Sequence, residues 1–322
     1  MRIEIRPFTD PFLSAAAALL ADRHRAHRLA APGLDPAFED PAVARREIER
    51  LASADGASGS IALRGGSLVG YMLGVPHDAD TWGPNAWVDS GAHAVTEPAI
   101  VRDLYAAAAQ RWVDEGRTRH YALVPATDPA LVDAWFSVGF GQQHVHALRE
   151  PPGPSFRPIL PAGLTVRRAI RDDIPALAVL ELVLPEHQAR SPVFSQLPVQ
   201  ALADVRAELE DDFDDPRFTT FVAERDGRVV GSATACSLEV SSTNVGLIRP
   251  ASAGFLGFAA VLPAARGQGV GRALGEAVLA WSRDAGYPWV ATDWRATNLQ
   301  ASRAWTGLGF RPTFLRLHRA IA

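Results

Sequence analysis

The residues with the most chemistry in their spacing run from Phe258 to Leu274, Phe-Ala-Ala-Val-Leu-Pro-Ala-Ala-Arg-Gly-Gln-Gly-Val-Gly-Arg-Ala-Leu. An apolar strand feeds a turn with glycines at 267, 269 and 271, flanked by Arg266 and Arg272, and a helix follows. Glycines let a backbone approach a ligand closely, and a helix start aims unpaired N–H groups and a positive dipole end at whatever sits there. Such a turn suits phosphate. It is not a dinucleotide-binding turn, because Leu274 stands where the third glycine of G-x-G-x-x-G would fall. Nor is it a nucleoside triphosphate loop, since all 32 basic residues are arginine and the chain has no lysine. The same absence excludes Schiff-base and lysine general-base chemistry.

The elements that must position this turn recur twice along 322 residues. Laid over one another at a constant offset of 170, residues 102–140 and 272–310 share Arg102, Leu104, Ala107, Asp114, Gly116, Ala126, Thr127, Ala134, Trp135, Gly139 and Phe140 with Arg272 through Phe310. Chance would give about two or three identities. A run with five prolines between Ala147 and Gly163 is expected to be an extended tether. The expected organisation is therefore 1–150, a linker at 151–163, and 164–322. In the second copy, patterning predicts strands over 164–169, 218–224, 228–240, 254–262, 288–293 and 310–319, and helices over 172–184, 198–212, from the glycine turn to about 285, and over 298–308. In the first copy the matching strands fall at 2–6, around the Gly65-Gly66 hairpin, 86–95, 119–124 and 140–148, with helices at 11–21, 41–51, 98–115 and 128–138. The fold class is mixed α/β, made twice.

The net charge of -4 without a basic run argues against nucleic acid, and no apolar stretch reaches the roughly 20 residues that span a bilayer. The N-terminus lacks a signal peptide's apolar core, and the single cysteine, Cys236, suits a reducing cytoplasm, rules out an intrachain disulfide and reads as a buried hairpin residue. The pairs His24/His27 and His144/His146 have metal-compatible spacing but no third ligand, so no metal is expected. The acidic run 208–215 reads as a solvated helix end, and Trp82 and Trp87 fit either a pocket or an interface.

Arg266-Gly-Gln-Gly269-Val-Gly271, preceded by Ala260-Val261-Leu262-Pro263, resembles the R/Q-x-x-G-x-G/A pyrophosphate loop of the Gcn5-related N-acetyltransferases, the GNAT family. Asn298-x-x-Ala301-x-x-x-Trp305-x-x-x-Gly309-Phe310 resembles that family's N-x-x-A-x-x-x-Y-x-x-x-G-F segment. The resemblance implies two tandem GNAT domains and acetyl-CoA as cosubstrate. Ala260 and Val261 would pair with the pantetheine arm, with a backbone N–H near Val261 polarising the thioester. Arg266, Gly267, Gln268, Gly269, Val270, Gly271 and Arg272 would hold the pyrophosphate, with Asn298, Ser302 and Trp305 beside the arm. The first copy departs from the pattern: Thr96-Glu97-Pro98-Ala99-Ile100-Val101 replaces the loop and Asp128 replaces Asn298. That copy is expected to have lost acetyl-CoA binding.

The chemistry implied is acetyl transfer to the primary amine of a small molecule in a ternary complex. Trp305 stands where the family tyrosine often protonates the thiolate, and 255–261 contains no carboxylate. Asp293 is the expected base, with a turn cap as its other reading. Glu239 on the hairpin strand and His187 in the acceptor loop are further candidates. A sensor that binds acetyl-CoA without turnover, and a protein N-terminal acetyltransferase, stay open. The oligomeric state is not legible.

Overall fold

A computed structural model describes residues 2–79, 82–195, 200–241 and 245–321. The first copy runs β1 (Ile3–Pro7), α1 (Leu13–Ala30), α2 (Pro41–Ala52), β2 (Ser58–Arg64), β3 (Ser67–Ala79), β4 (Gly83–Val88), β5 (His93–Val95), α3 (Ile100–Asp114), β6 (Arg119–Pro125), α4 (Pro129–Phe136) and β7 (Gly141–Arg149). The second runs β8 (Leu164–Arg168), α5 (Ile174–Gln188), α6 (Leu202–Asp212), β9 (Phe218–Arg225), β10 (Arg228–Ser237), β11 (Gly254–Val261), α7 (Val270–Asp284), β12 (Val290–Arg295), α8 (Leu299–Gly307) and β13 (Arg311–Ala320). The repeat is visible in the spacing. Ile3 and Leu164 open β1 and β8, Leu13 and Ile174 open α1 and α5, and the interval between the members of each pair is the same.

Several expected bounds move. α1 continues to Ala30 because its buried stripe extends through Leu20, His24 and His27. The single strand expected at 86–95 is two, β4 and β5, broken by a turn at Asp89–Ala92. β10 stops at Ser237, where the Ser237 hydroxyl caps a 3-10 turn over Leu238–Val240. α5 runs on past Leu184 to Gln188, with Pro185 inside it. Pro198 and Val199, expected to open α6, lie outside the described residues.

Contacts divide the chain into two units, and the division does not follow the two copies throughout. Unit 1 takes Met1–His146, Asn244–Ala251 and Pro312–Ala322; unit 2 takes Ala147–Thr243 and Ser252–Arg311. The expected boundary kept all of 164–322 together, but two of its stretches are counted with unit 1. In unit 1 the strand order is β1-β2-β3-β4-β6-β13, with β5 also on β3. β4 and β6 run parallel and the other pairs antiparallel. β13 lies along β6 from Phe314↔Pro125 to Ala320↔Arg119, and Phe314 and Leu317 are fully buried. Leu247 and Ile248 are likewise buried in unit 1. Its core is aromatic: Trp112 and Trp135 flank Tyr105, with Phe140 4.8 Å from Trp135.

Unit 2 carries the order β8-β9-β10-β11-β12, antiparallel except for the parallel pair β11 and β12. α7 packs on β8 to β11, α5 packs on β10, β11 and α6, and α8 packs on α7 and β12. The proline-rich segment has neither helix nor strand, as expected, yet it is not a loose tether. The Ile159 N–H donates to Glu276 of α7 at 2.8 Å, and a Cβ placed on Gly269 would lie 2.8 Å from Pro161 Cγ.

Candidate functional site

β11 and β12 part company in the middle of unit 2. They pair over three residues only, Gly254↔Val290, Phe255↔Ala291 and Leu256↔Thr292. The Thr292 hydroxyl donates to the Leu256 carbonyl at 3.0 Å on the last rung. Past it, 258–261 keeps its pairing with β10, and among the described residues 257–261 has no strand partner on the other side. A bulge marks the parting, because Ala235 faces Leu256 while Thr234 faces Phe258, leaving Gly257 unmatched. Bulges re-aim strands at such places. The result is an edge of main-chain groups beginning at Gly257 and leading into the glycine turn.

In that turn Gly267 and Gly269 take φ of 73° and 80°, a left-handed backbone that glycine enters without strain. Gly269 forms the N-cap of α7. Among the described residues the amides of 267–272 have no backbone acceptor; the first bond of the helix runs from Ala273 N–H to the Gly269 carbonyl. Six N–H groups at a positive dipole end are thus available to an anion. The turn's side chains serve its own shape. Arg266 Nε donates to the Val261 carbonyl at 3.2 Å, and Gln268 bridges the Ala264 carbonyl, at 2.9 Å, and the Arg225 guanidinium. Arg272 turns its Nε to Glu276 at 2.7 Å.

The remaining expected residues scatter. Asp293 sits on β12 one residue beyond the last rung, half-buried, where the strands separate. Glu239 is not on the hairpin strand: it is exposed in the turn after β10. His187 is not in a loop but in the last turn of α5. Asn298 is buried and its side-chain oxygen caps α8 by accepting from the Ala301 N–H at 3.2 Å, which occupies the carbonyl expected to face an amide. Ser302 is half-buried on α8. Trp305 is buried against Phe310 and against Gly275 of α7, whose missing side chain makes room for it. Cys236 is buried as expected, and desolvation pushes its thiol up to about 11, so it is a poor nucleophile.

One residue escaped the sequence reading. Glu181, on α5, is a half-buried carboxylate with no hydrogen-bond or ion-pair partner among the described residues, and burial raises it from 4.5 to about 7. Its signal was an acidic residue in the middle of Leu177-Ala-Val-Leu-Glu-Leu-Val-Leu184.

The first copy shows the same frame closed. The α3 amides of Ile100, Val101 and Arg102 are bonded to the carbonyls of Glu97, Pro98 and Ala99, and Glu97 is paired with Arg64. Beyond the last β4–β6 rung, Val88↔Ala122, His93 Nε2 meets the Leu123 carbonyl at 3.0 Å. Arg23, half-buried, donates to the carbonyls of Ser90 and His93. The histidine pairs expected to bind no metal are packed: His24, His27 and His146 are buried.

Comparison with known proteins agrees with this geometry. Residues 180–310 match the profile of the Acetyltransferase (GNAT) family. The chain is 37% identical over 122 residues to aminoglycoside N(6')-acetyltransferase type 1 of Stenotrophomonas maltophilia, covering 80% of that protein and 35% of this one. The chain belongs to the GNAT family. A second relative is the mycothiol acetyltransferase of Frankia alni, 35% identical over 215 residues, which span 61% of this chain and 62% of that protein. The chain thus spans less than two thirds of that GNAT relative's length. A solved GCN5-related N-acetyltransferase from Sphaerobacter thermophilus covers 99% of this chain and 95% of its own at a TM-score of 0.57 and 15% identity, which shows a GNAT fold along the whole chain. Among the described residues no helix is long and apolar enough to cross a membrane, and no cluster of His, Cys, Asp or Glu could hold a metal.

Proposed function

We propose that unit 2 transfers the acetyl group of acetyl-CoA to the primary amine of a small molecule, by direct attack in a ternary complex, and that the protein works in the cytoplasm. The observation that carries this reading is the pairing of an open strand edge at 257–261, on the side away from β10, with the six amides of 267–272 that have no backbone acceptor among the described residues. The first stretch suits the amides of a pantetheine arm and the second its pyrophosphate, and an N–H near Val261 is placed to stabilise the oxyanion of the thioester carbonyl. Ala260, Val261, the turn 266–272, Ser302 and the Asn298 amide nitrogen are the residues we assign to acetyl-CoA. Asp293, at the parting of the strands, is assigned to proton transfer from the amine. The names of the curated relatives point to polar small-molecule acceptors such as aminoglycosides. Unit 1, whose corresponding amides are used internally, serves as a non-binding scaffold.

Calorimetric titration with acetyl-CoA tests this. One site per chain is expected, followed by release of CoA thiol when amines are added. Two sites would overturn the inequality of the copies, and no binding would overturn the whole reading. Binding without thiol release on any amine would favour the sensor reading, which the tryptophan at 305 in place of a tyrosine supports.

A further inference from the structure

One buried titratable group has no part in the chemistry above. Glu181 lies on the stripe of α5 defined by Ile174, Leu177 and Ala178, three or four residues apart, and these are buried. That stripe faces the sheet, because α5 packs on β10 and β11. The first copy supplies an independent check. α1 opens on Leu13 as α5 opens on Ile174, so Leu20 holds the place in α1 that Glu181 holds in α5, and Leu20 is fully buried. Position 181 is therefore the counterpart of a core position and carries a half-buried carboxylate. Such a group is costly unless something polar joins it.

The copy also shows where this helix face leads. Arg23, one turn after Leu20, donates to the carbonyl of His93. Met72 on β3 and Ala233 on β10 stand at the same interval as the two helix starts, and their ladder partners are His93 and Ala259. The corresponding face of α5 is thus directed at 257–261, the edge that β12 leaves open. Among the described residues no charged side chain pairs with Glu181 there. β11 has no ionisable residue; β10 has only Cys236 and Arg228. In α6, Asp204, Arg206, Glu208, Glu210, Asp211 and Asp212 make no ion pair with it, and neither do Arg171, Asp172 and Asp173 before α5 or Glu186 and His187 within it; burial is what raises it.

We propose that Glu181 is the acceptor-side carboxylate of the site: it binds the ammonium group of the incoming amine and takes its proton. The proposal rests on the acetyl-CoA reading of unit 2. An R–NH3+ group would give one proton to the Glu181 carboxylate, yielding R–NH2 and a neutral acid. The amine nitrogen then bonds to the thioester carbonyl carbon, the C–S bond breaks, and the second N–H proton passes by way of Asp293 and solvent to the CoA thiolate. Glu181 returns its proton to water. The class of acceptor is a primary amine that reaches the site as its ammonium form.

The test compares wild type with Glu181→Gln and Glu181→Leu, using acetyl-CoA with ethanolamine, glucosamine and an aminoglycoside. Acetyl-CoA should bind all three proteins alike by calorimetry. Wild-type kcat/KM should rise with pH through about 7, the value burial gives this carboxylate. Glu181→Gln should lose that limb and about 100-fold or more in kcat/KM. Glu181→Leu, which installs the first copy's residue, should raise Tm at pH 8 more than at pH 5. Turnover and pH profile unchanged in Glu181→Gln would overturn the proposal while leaving acetyl-CoA binding intact. So would a Tm in Glu181→Leu that shows no pH-dependent gain, or wild-type binding of acetyl-CoA with no amine turned over. Failure of wild type to bind acetyl-CoA would instead remove the underlying function, a result distinguishable from the others at the first step.

Discussion

Gly269 and Gly271 differ in what a side chain would meet, and the difference decides which variant probes the turn. Gly269 has φ of 80° and Pro161 2.8 Å from where a Cβ would sit, so any replacement strains the fold. At Gly271 the nearest atom is Val261 Cγ2 at 3.8 Å, an ordinary contact. Gly271→Glu should therefore fold with a Tm within a few degrees of wild type, yet lose acetyl-CoA binding by at least about 100-fold, since it sets a negative charge among the free amides. Retained affinity on titration would remove the turn from the site. Asp293→Asn should leave acetyl-CoA affinity unchanged and lower kcat by about tenfold or more. A normal kcat would make Asp293 a structural residue of β12. At this scale the glycines were fully legible, because a turn motif is local. Glu181 left only a faint signal, one carboxylate in an apolar helical run, since its meaning lies in the absence of partners, which the sequence does not show.

The strand β11 shows how an element turns sequence into a cleft. Its apolar run is read easily as a strand, but the point where β12 leaves it depends on the Gly257 bulge and on the hydroxyl of Thr292, both tertiary facts. Thr292→Val keeps the shape and strands the buried Leu256 carbonyl, at a cost of about 1–2 kcal/mol in denaturant titration. The same variant should weaken acetyl-CoA binding, as the last rung holds the strands where they diverge. Helices were legible in kind and misjudged in length. α5 carries Pro185 in its last turn and continues regardless, the Ala189 N–H still donating to the Pro185 carbonyl at 2.9 Å. α1 runs on from the expected Ala21 to Ala30 because its stripe stays buried through His24 and His27. There burial outweighs local propensity.

Across the whole molecule, the copies have diverged in charge as well as in shape. In unit 1 burial depresses His24 and His120 to about 4 and His27 and His93 to about 3. All four are neutral in the fold and would charge on unfolding. Their contribution to stability is complete above the ordinary histidine value near 6.5 and falls away as pH drops toward 4. Unit 2's half-buried Glu181 acts oppositely, subtracting stability as pH rises from 4.5 to about 7. Thermal melts at pH 5 and pH 8 should show aromatic signals from unit 1, which holds Trp112 and Trp135, shifted down at the lower pH; a shift confined to unit 2 would contradict this. The duplication was legible from identities at a fixed offset, but the membership of β13 was not, because patterning says that a segment is a strand and never in which sheet.

That membership sets the order in which the protein can be made. Residues up to His146 leave the ribosome early, but the strand that completes their sheet along β6 is not encoded until Pro312 and beyond, after the whole of unit 2. At roughly 5–20 residues per second the wait is on the order of ten to thirty seconds. Throughout that interval β6 stands with an unpaired edge, a template for pairing with another nascent chain. Nor can a gene for either half be cut away: the strand that closes the first sheet is written at the far side of the second.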